Sequence, residues 1–183
     1  MRHCRTVIAQ SLPDHRYPEP VTNAAKLTHV DAEGAARMVD VTAKAVTERE
    51  AVAAGRLSTT PEVVALLRGD GLPKGDALAV ARIAGIMGAK RTPDLVPLCH
   101  PIGLHGVTVD LSVTDAGVDI TATTRTADRT GVEMEALTAV AVAGLTLIDM
   151  IKAVDPAASI ESVRVLRKGG GKTGEWLRPA DRR

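Results

Sequence analysis

Phenylalanine is absent from the 183 residues, and there is one tryptophan and one tyrosine. Without aromatic faces on which bases stack, single-strand nucleic-acid binding is disfavoured. The core must be built from valine, leucine, isoleucine and abundant alanine, small enough to let neighbouring elements approach closely. Charge of one sign is also missing: 23 Lys and Arg face 22 Asp and Glu, a net +1. That excludes a bulk field for gripping nucleic acid or an anionic membrane, though a small anionic ligand needs only a local cluster. Two cysteines, Cys4 and Cys99, make no disulfide framework. No secretory signal pattern is present either, so the expected compartment is the cytoplasm. The longest nearly apolar run, Ala136 to Ile148, is 13 residues long and contains Thr138 and Thr146. It is short of a bilayer span and reads as a buried helix, with no membrane partner expected.

A chain 45% hydrophobic and 25% charged, of this length, fits one globular domain. Residues 1–25 carry Pro13, Pro18 and Pro20 among aperiodic charges and read as a mobile N-terminal arm. Met38 to Val46 alternates apolar and polar residues, the period of a strand. Thr60-Pro61-Glu62 supplies an N-cap and a proline at the first helical position of a short helix ending near Gly69. Gly71 to Gly75 reads as a turn. A longer helix follows from about Asp76 to Lys90, where Gly85 and Gly88 suggest a close helix contact, and Thr92-Pro93 ends it. Val107 to Val113 and Val118 to Ala122 alternate around Asp115-Ala116-Gly117, a hairpin. A helix over Val132 to Ala153 and a strand near Ile160 to Leu166 complete the domain, and residues 168–183 read as a glycine-rich flexible tail. Strands and substantial helices without βα alternation predict an α+β architecture, an antiparallel sheet with helices packed on one face.

Several residue groups carry chemistry. Gly169-Gly170-Gly171-Lys172-Thr173 is not a P-loop, because Leu166 stands where the first glycine is required and Pro179 breaks the following segment. Its amides and Lys172 suit either a phosphate approach or a solvated tail. Pro97-Leu98-Cys99-His100-Pro101 holds a thiol and an imidazole between prolines. Cys99, His100 and His105 lack paired ligand spacing, so no metal site is expected. Cys99 fits an inert buried residue, and His100 suits a ligand contact on a stiffened loop. Lys74 precedes a helix start, where it either greets a bound anion or is an ordinary surface lysine. Asp149 and Lys152, at i and i+3, are neighbours on one helix face. They are either a surface ion pair or an acid and amine that perturb each other's protonation.

Leu27-Thr28-His29-Val30-Asp31, Met38-Val39-Asp40-Val41, Lys74-Gly75-Asp76, Ala81 to Ile86, Ala89-Lys90-Arg91-Thr92, Leu95 to Pro101, Gly131 to Thr138, Asp149-Met150 and Gly170-Gly171-Lys172 together resemble the MoaC family of cyclic pyranopterin monophosphate synthases. The resemblance runs from about Leu27 to Glu175 and makes residues 26–167 the MoaC-like catalytic domain. It implies a ferredoxin-like subunit in a homohexamer, a trimer of dimers. The implied substrate is 3',8-cyclo-7,8-dihydro-GTP, supplied by a radical SAM GTP cyclase. The reaction rebuilds it into cyclic pyranopterin monophosphate with release of pyrophosphate, a lyase step in molybdenum cofactor biosynthesis. No redox cofactor is implied, and any Mg²⁺ would arrive on the triphosphate. Asp149 and Lys152 then match the catalytic acid/base pair and Lys74 a further essential lysine. Leu98, Cys99, His100, Met134 and Glu135 match substrate-contacting segments, with Glu133 and Arg49 as further pocket residues. The family's usual lysine before Thr-Gly-Val-Glu-Met-Glu is Arg129 here, which keeps charge but not a lysine's capacity to titrate.

Two other functions fit the same residues: a nucleotide- or pterin-binding protein in which the lysines only hold phosphate, and a scaffold that needs no pocket. A carboxylate beside Lys152 favours the enzyme, since an anion trap gains nothing from it. Met134 and Lys152 lie 18 residues apart on one helix face, about 27 Å at ~1.5 Å per residue. A small substrate does not span that distance, so sites at the interface of a two-fold dimer are expected.

Overall fold

The computed structural model describes residues 29–31, 33–69, 76–172 and 174–179. In chain order the elements are strand β1 (Thr47–Ser58), helices α1 (Pro61–Arg68), α2 (Ala77–Lys90) and α3 (Thr92–Leu95), strands β2 (Gly106–Thr114) and β3 (Gly117–Asp128), helix α4 (Glu133–Ile151), and strands β4 (Ser159–Gly170) and β5 (Trp176–Leu177). All neighbouring strands are antiparallel, in the order β2-β3-β1-β4-β5. The first four strands, crossed over by α2 and α4, have the ferredoxin-like connectivity, and the helices pack on one face.

The local signals explain the helices. Thr60 accepts a hydrogen bond from the Val63 amide, Pro61 opens α1 and Gly69 closes it. Asp76 accepts from the Ala79 amide at 2.9 Å and caps α2. Where α2 crosses α4, a methyl added at Gly85 would sit 2.9 Å from the Ala139 carbonyl oxygen, and one at Gly88 would sit 2.8 Å from Val142. The two helices therefore approach closely only because both positions lack a side chain. Under α4 the sheet presents Ala51, Ala53 and Leu57 from β1 and Val118, Ile120 and Ala122 from β3, all buried. Alanines of α4 (Ala136, Ala139 and Ala143) meet them, with Val140, Leu147 and Ile151 filling the larger gaps. Small side chains thus replace the missing aromatics.

The structure departs from the sequence reading in four places. Met38 to Val46 is not a strand: it is irregular and largely exposed, and β1 begins at Thr47. A turn at residues 42–44, in which the Lys44 amide donates to the Val41 carbonyl at 3.0 Å, interrupts the alternation. β1 itself went unread, because its central position is filled by Ala, Gly and charged residues of low strand propensity and is imposed by β3 and β4 on either side. Thr92-Pro93 begins the short α3 rather than simply ending α2, a proline being at home in a first turn. β4 continues past Leu166 to Gly170, pairing Lys168 with Ala51 and Gly170 with Arg49, and Trp176-Leu177 returns as β5. The segment from Lys168 is therefore sheet over part of its length, because ladder hydrogen bonds to β1 override its glycine content. The 13-residue apolar run is part of a buried core helix, as read; the 19-residue α4 that contains it is long and apolar enough by length and composition to cross a membrane, but half of it is buried in the fold. The N-terminal arm, residues 1–25, and the turn Gly71 to Gly75 lie outside the described residues.

Candidate active site

The two ends of α4 carry separate groups of candidate residues. At its start, Val132 offers no side-chain cap, and the first turn instead contains Glu133 and Glu135, acids that suit the positive end of the helix dipole. Lys168, at the end of β4 beside Ala51, reaches across and donates to Glu133 at 2.9 Å. Met134 is 39% exposed between the two acids, whereas Glu135 is buried at 3%. Burial, more than the neighbouring Glu133 charge, pushes the Glu135 carboxyl up to about 7. Cys99 feels the same environment: burial first and then the Glu135 charge raise its thiol, which keeps it protonated and a poor nucleophile. The Leu98-Cys99 turn therefore stands against the start of α4. His100 follows, its Nε2 2.8 Å from the Val39 carbonyl, which ties the loop to the irregular segment before β1.

Arg49 completes this end. Its Nε donates to the Asp128 carbonyl at 2.9 Å and its Nη2 to the Arg129 carbonyl at 3.1 Å, fixing the path from β3 into α4. The glycine-rich segment closes over it. Gly170 (φ +91°) and Gly171 (φ +71°) take left-handed backbone, and a methyl group would strike the Glu48 carbonyl at the first and the Arg49 guanidinium at the second. These glycines serve a tight turn off β4, which agrees with rejection of a P-loop. Beside them opens a cleft of about 800 Å³ lined by Glu48, Arg49, Glu50, His105, Arg125 and Gly170. That volume lies within the range of small-molecule sites. Glu50 accepts from both Arg125 and Arg167 on the far face of the sheet.

At the other end of α4, Lys152 Nζ donates to Asp149 Oδ1 at 2.7 Å, with both side chains 60% exposed. A helix of 19 residues separates this pair from Glu133 by roughly 28 Å at ~1.5 Å per residue. One chain therefore brings Glu133, Glu135, Cys99 and Arg49 to one end of the fold and Asp149 with Lys152 to the other. Lys74 lies outside the described residues. Among the described residues, no group of three or more His, Cys, Asp or Glu could hold a metal ion. Lys168, bonded to Glu133, is a candidate that sequence reasoning missed. The sequence reading ends the last strand near Leu166, two residues short of it, and the register shift opposite Val52 and Ala53 breaks the strand's period just before it.

The antiparallel sheet with helices on one face defines an α+β subunit that carries a carboxylate–amine pair at each end of α4. The MoaC family matches residues 38–171. The chain belongs to that family. It is 68% identical over 153 residues to the cyclic pyranopterin monophosphate synthase of Streptomyces coelicolor, covering 84% of this chain and 90% of that protein. It is 64% identical to cyclic pyranopterin monophosphate synthase 2 of Mycobacterium tuberculosis, with 84% and 92% covered. A synthase of the same name from a Nocardioides species is 63% identical, with 84% and 96% covered.

Proposed function

We infer that this chain is a cyclic pyranopterin monophosphate synthase, a lyase of molybdenum cofactor biosynthesis acting on a GTP-derived substrate. The observation that carries this is the family match over residues 38–171, which contains every candidate site residue. The substrate is the cyclised nucleotide 3',8-cyclo-7,8-dihydro-GTP. Its radical chemistry is complete before it arrives, so the remaining steps are proton transfers, ring opening and closing, and displacement of pyrophosphate to form the cyclic phosphate.

The residues suit those steps. Asp149 and Lys152, hydrogen-bonded at 2.7 Å, exchange protons with the opening and closing rings. Lys74, Arg49 and Lys168 supply positive charge for the triphosphate and the departing pyrophosphate. Leu98, Cys99, His100, Met134 and Glu135 line the pterin end, with Glu133 orienting Lys168. Mg²⁺ comes only with the triphosphate.

The working unit is a homohexamer, a trimer of dimers whose sites lie at the dimer interface. Two observations favour it. The acid–amine pair and the Glu133 end are too far apart within one chain to meet one small substrate. The outward faces of the two long helices are also apolar: Val80, Ile83 and Met87 on α2 and Met134 and Leu145 on α4 are all exposed. The enzyme works in the cytoplasm, which suits the free thiol of Cys99 and an apolar helix that packs on its own sheet.

The test is product analysis of the purified protein with the cyclised GTP substrate. The wild type yields the cyclic pyranopterin and pyrophosphate, whereas Asp149→Asn and Lys152→Ala, folded and assembled normally, yield neither. Near-normal turnover by either variant would remove that pair from the chemistry, and no product from the wild type would remove the activity.

A further inference from the structure

Helix α4 ends without the glycine that commonly closes a helix, since none lies between Gly144 and Gly169. The turn after Ile151 is held from outside instead. Asp155, 5% exposed, accepts from the Thr59 hydroxyl at 2.7 Å and the Thr60 amide at 3.2 Å with one carboxylate oxygen, and from the Ala157 amide at 3.0 Å with the other. The amides of Val154 and Asp155 both donate to the Ile151 carbonyl, at 2.8 and 3.0 Å. Pro156 disfavours helical backbone at Asp155, so the turn after Ile151 does not run on into further helix. Thr60 is the N-cap of α1. One carboxylate thus joins the end of α4 to the junction between β1 and α1.

Lys152 is the C-cap of α4 and belongs to this turn, three residues before Asp155. Its ammonium is 2.7 Å from Asp149 on the last helical turn, so the position of the pair follows that of the backbone beneath it. We propose that Asp155 is a positioning residue for the reaction: by clamping the end of α4 onto Thr59 and Thr60, it holds Lys152 and Asp149 where the substrate requires them. The clamp has no cationic partner among the described ion pairs. Hydrogen bonding, led by the Thr59 hydroxyl and followed by the Ala157, Thr60 and Ala158 amides, outweighs burial and holds the Asp155 carboxyl below its ordinary range. It therefore stays ionised at neutral pH and keeps accepting all of these bonds.

The inference rests on Lys152 acting in the reaction. A misplacement of about 1 Å in a reacting group can cost on the order of a hundredfold in rate. Asp155→Ala, Thr59→Val and Thr59→Ser are assayed with the cyclised GTP substrate well below their melting temperatures, with assembly verified by light scattering. Asp155→Ala is expected to lower kcat by about ten- to a hundredfold with KM changed by less than about threefold. Thr59→Val should lower kcat less and Thr59→Ser should match the wild type. A folded Asp155→Ala and Thr59→Val with kcat near wild type overturn the proposal, whatever their melting temperatures; so does a change confined to KM. If Asp155→Ala does not fold, Thr59→Val, which removes one bond of the clamp, decides alone. Lys152→Ala separates the two readings. If it turns over normally, the assignment of Lys152 fails. If it is inactive beside a fully active Thr59→Val, only the clamp fails.

Discussion

Lys168 donates a 2.9 Å hydrogen bond to Glu133, joining the end of β4 to the first turn of α4. With side chains 41% and 27% exposed, such a pair contributes at most about 1 kcal/mol to folding. On the proposed assignment of Glu133 to the substrate pocket, the pair also holds an amine there. Lys168→Ala is therefore expected to shift the melting temperature by only a few degrees while cutting product formation at least about tenfold. Thermal melts and product assays on the same preparation separate the two effects. A variant that lost stability but kept its turnover would make Lys168 structural.

How far the sequence disclosed all this depends on how local each signal was. The cap at Thr60, the start of α2 at about Asp76, the hairpin around Asp115-Ala116 and the long apolar helix were all legible, because each is written within a few neighbouring residues. β1 was not, since Ala51, Ala53 and Gly55 become strand only by lying between β3 and β4 and beneath α4. The site divided in the same way. Asp149 with Lys152 is an i, i+3 pair that any helix reveals, whereas Lys168 meets Glu133 across 35 positions of chain through a strand whose period is broken by a bulge. The contact of Cys99 with the Glu135 environment is likewise tertiary and has no local signature.

The close crossing of α2 and α4 yields a stability prediction. Replacing Gly by Ala inside a helix gains about 1 kcal/mol of propensity, but overpacking costs about 1–3 kcal/mol. At Gly88 the three atoms nearest the added methyl all belong to the Val142 side chain, so Gly88→Ala should be destabilising alone and largely rescued by Val142→Ala. At Gly85 it meets the Ala139 backbone carbonyl at 2.9 Å, which no side-chain truncation relieves. Gly85→Ala should remain destabilised in the Val142→Ala background. Urea unfolding of the four variants checks the contrast, and equal rescue of both would show that the helices move apart instead.

Glu135 makes stability depend on pH in a stated direction. Its carboxyl rises from an ordinary 4.5 to about 7 on folding, chiefly through burial. Between those values the folded chain binds the extra proton, so the contribution is full below about 4.5 and is lost as pH rises through about 7. At about 1.4 kcal/mol per pKa unit, the loss is on the order of 3 kcal/mol. Glu135→Gln cannot titrate, so its stability relative to wild type should improve from pH 5 to pH 8, all other groups cancelling in the comparison. An offset that stays constant with pH would show that Glu135 titrates normally.

The separation of Glu133 from Lys152 by the length of α4 leads to the last prediction. If each site takes Asp149 and Lys152 from one subunit and the Glu133-Met134-Glu135 turn from another, two differently damaged chains can repair each other. An antiparallel pairing of α4 with its copy across a two-fold axis provides that geometry, with Met134 and Leu145, exposed on the single chain, lying within the contact. Lys152→Ala protein and Glu133→Ala/Met134→Ala protein, each inactive alone, are mixed in equal amounts and subunit exchange is verified by mass. Random exchange makes about half of the dimers mixed, and each mixed dimer contains one site with both halves intact and one with neither. About a quarter of wild-type activity should therefore return, rising with the extent of exchange. Activity that stays absent after complete exchange would assign the whole site to one chain. Asp149 and Lys152 would then have to reach Glu133 along some 28 Å of helix, which one small substrate cannot bridge.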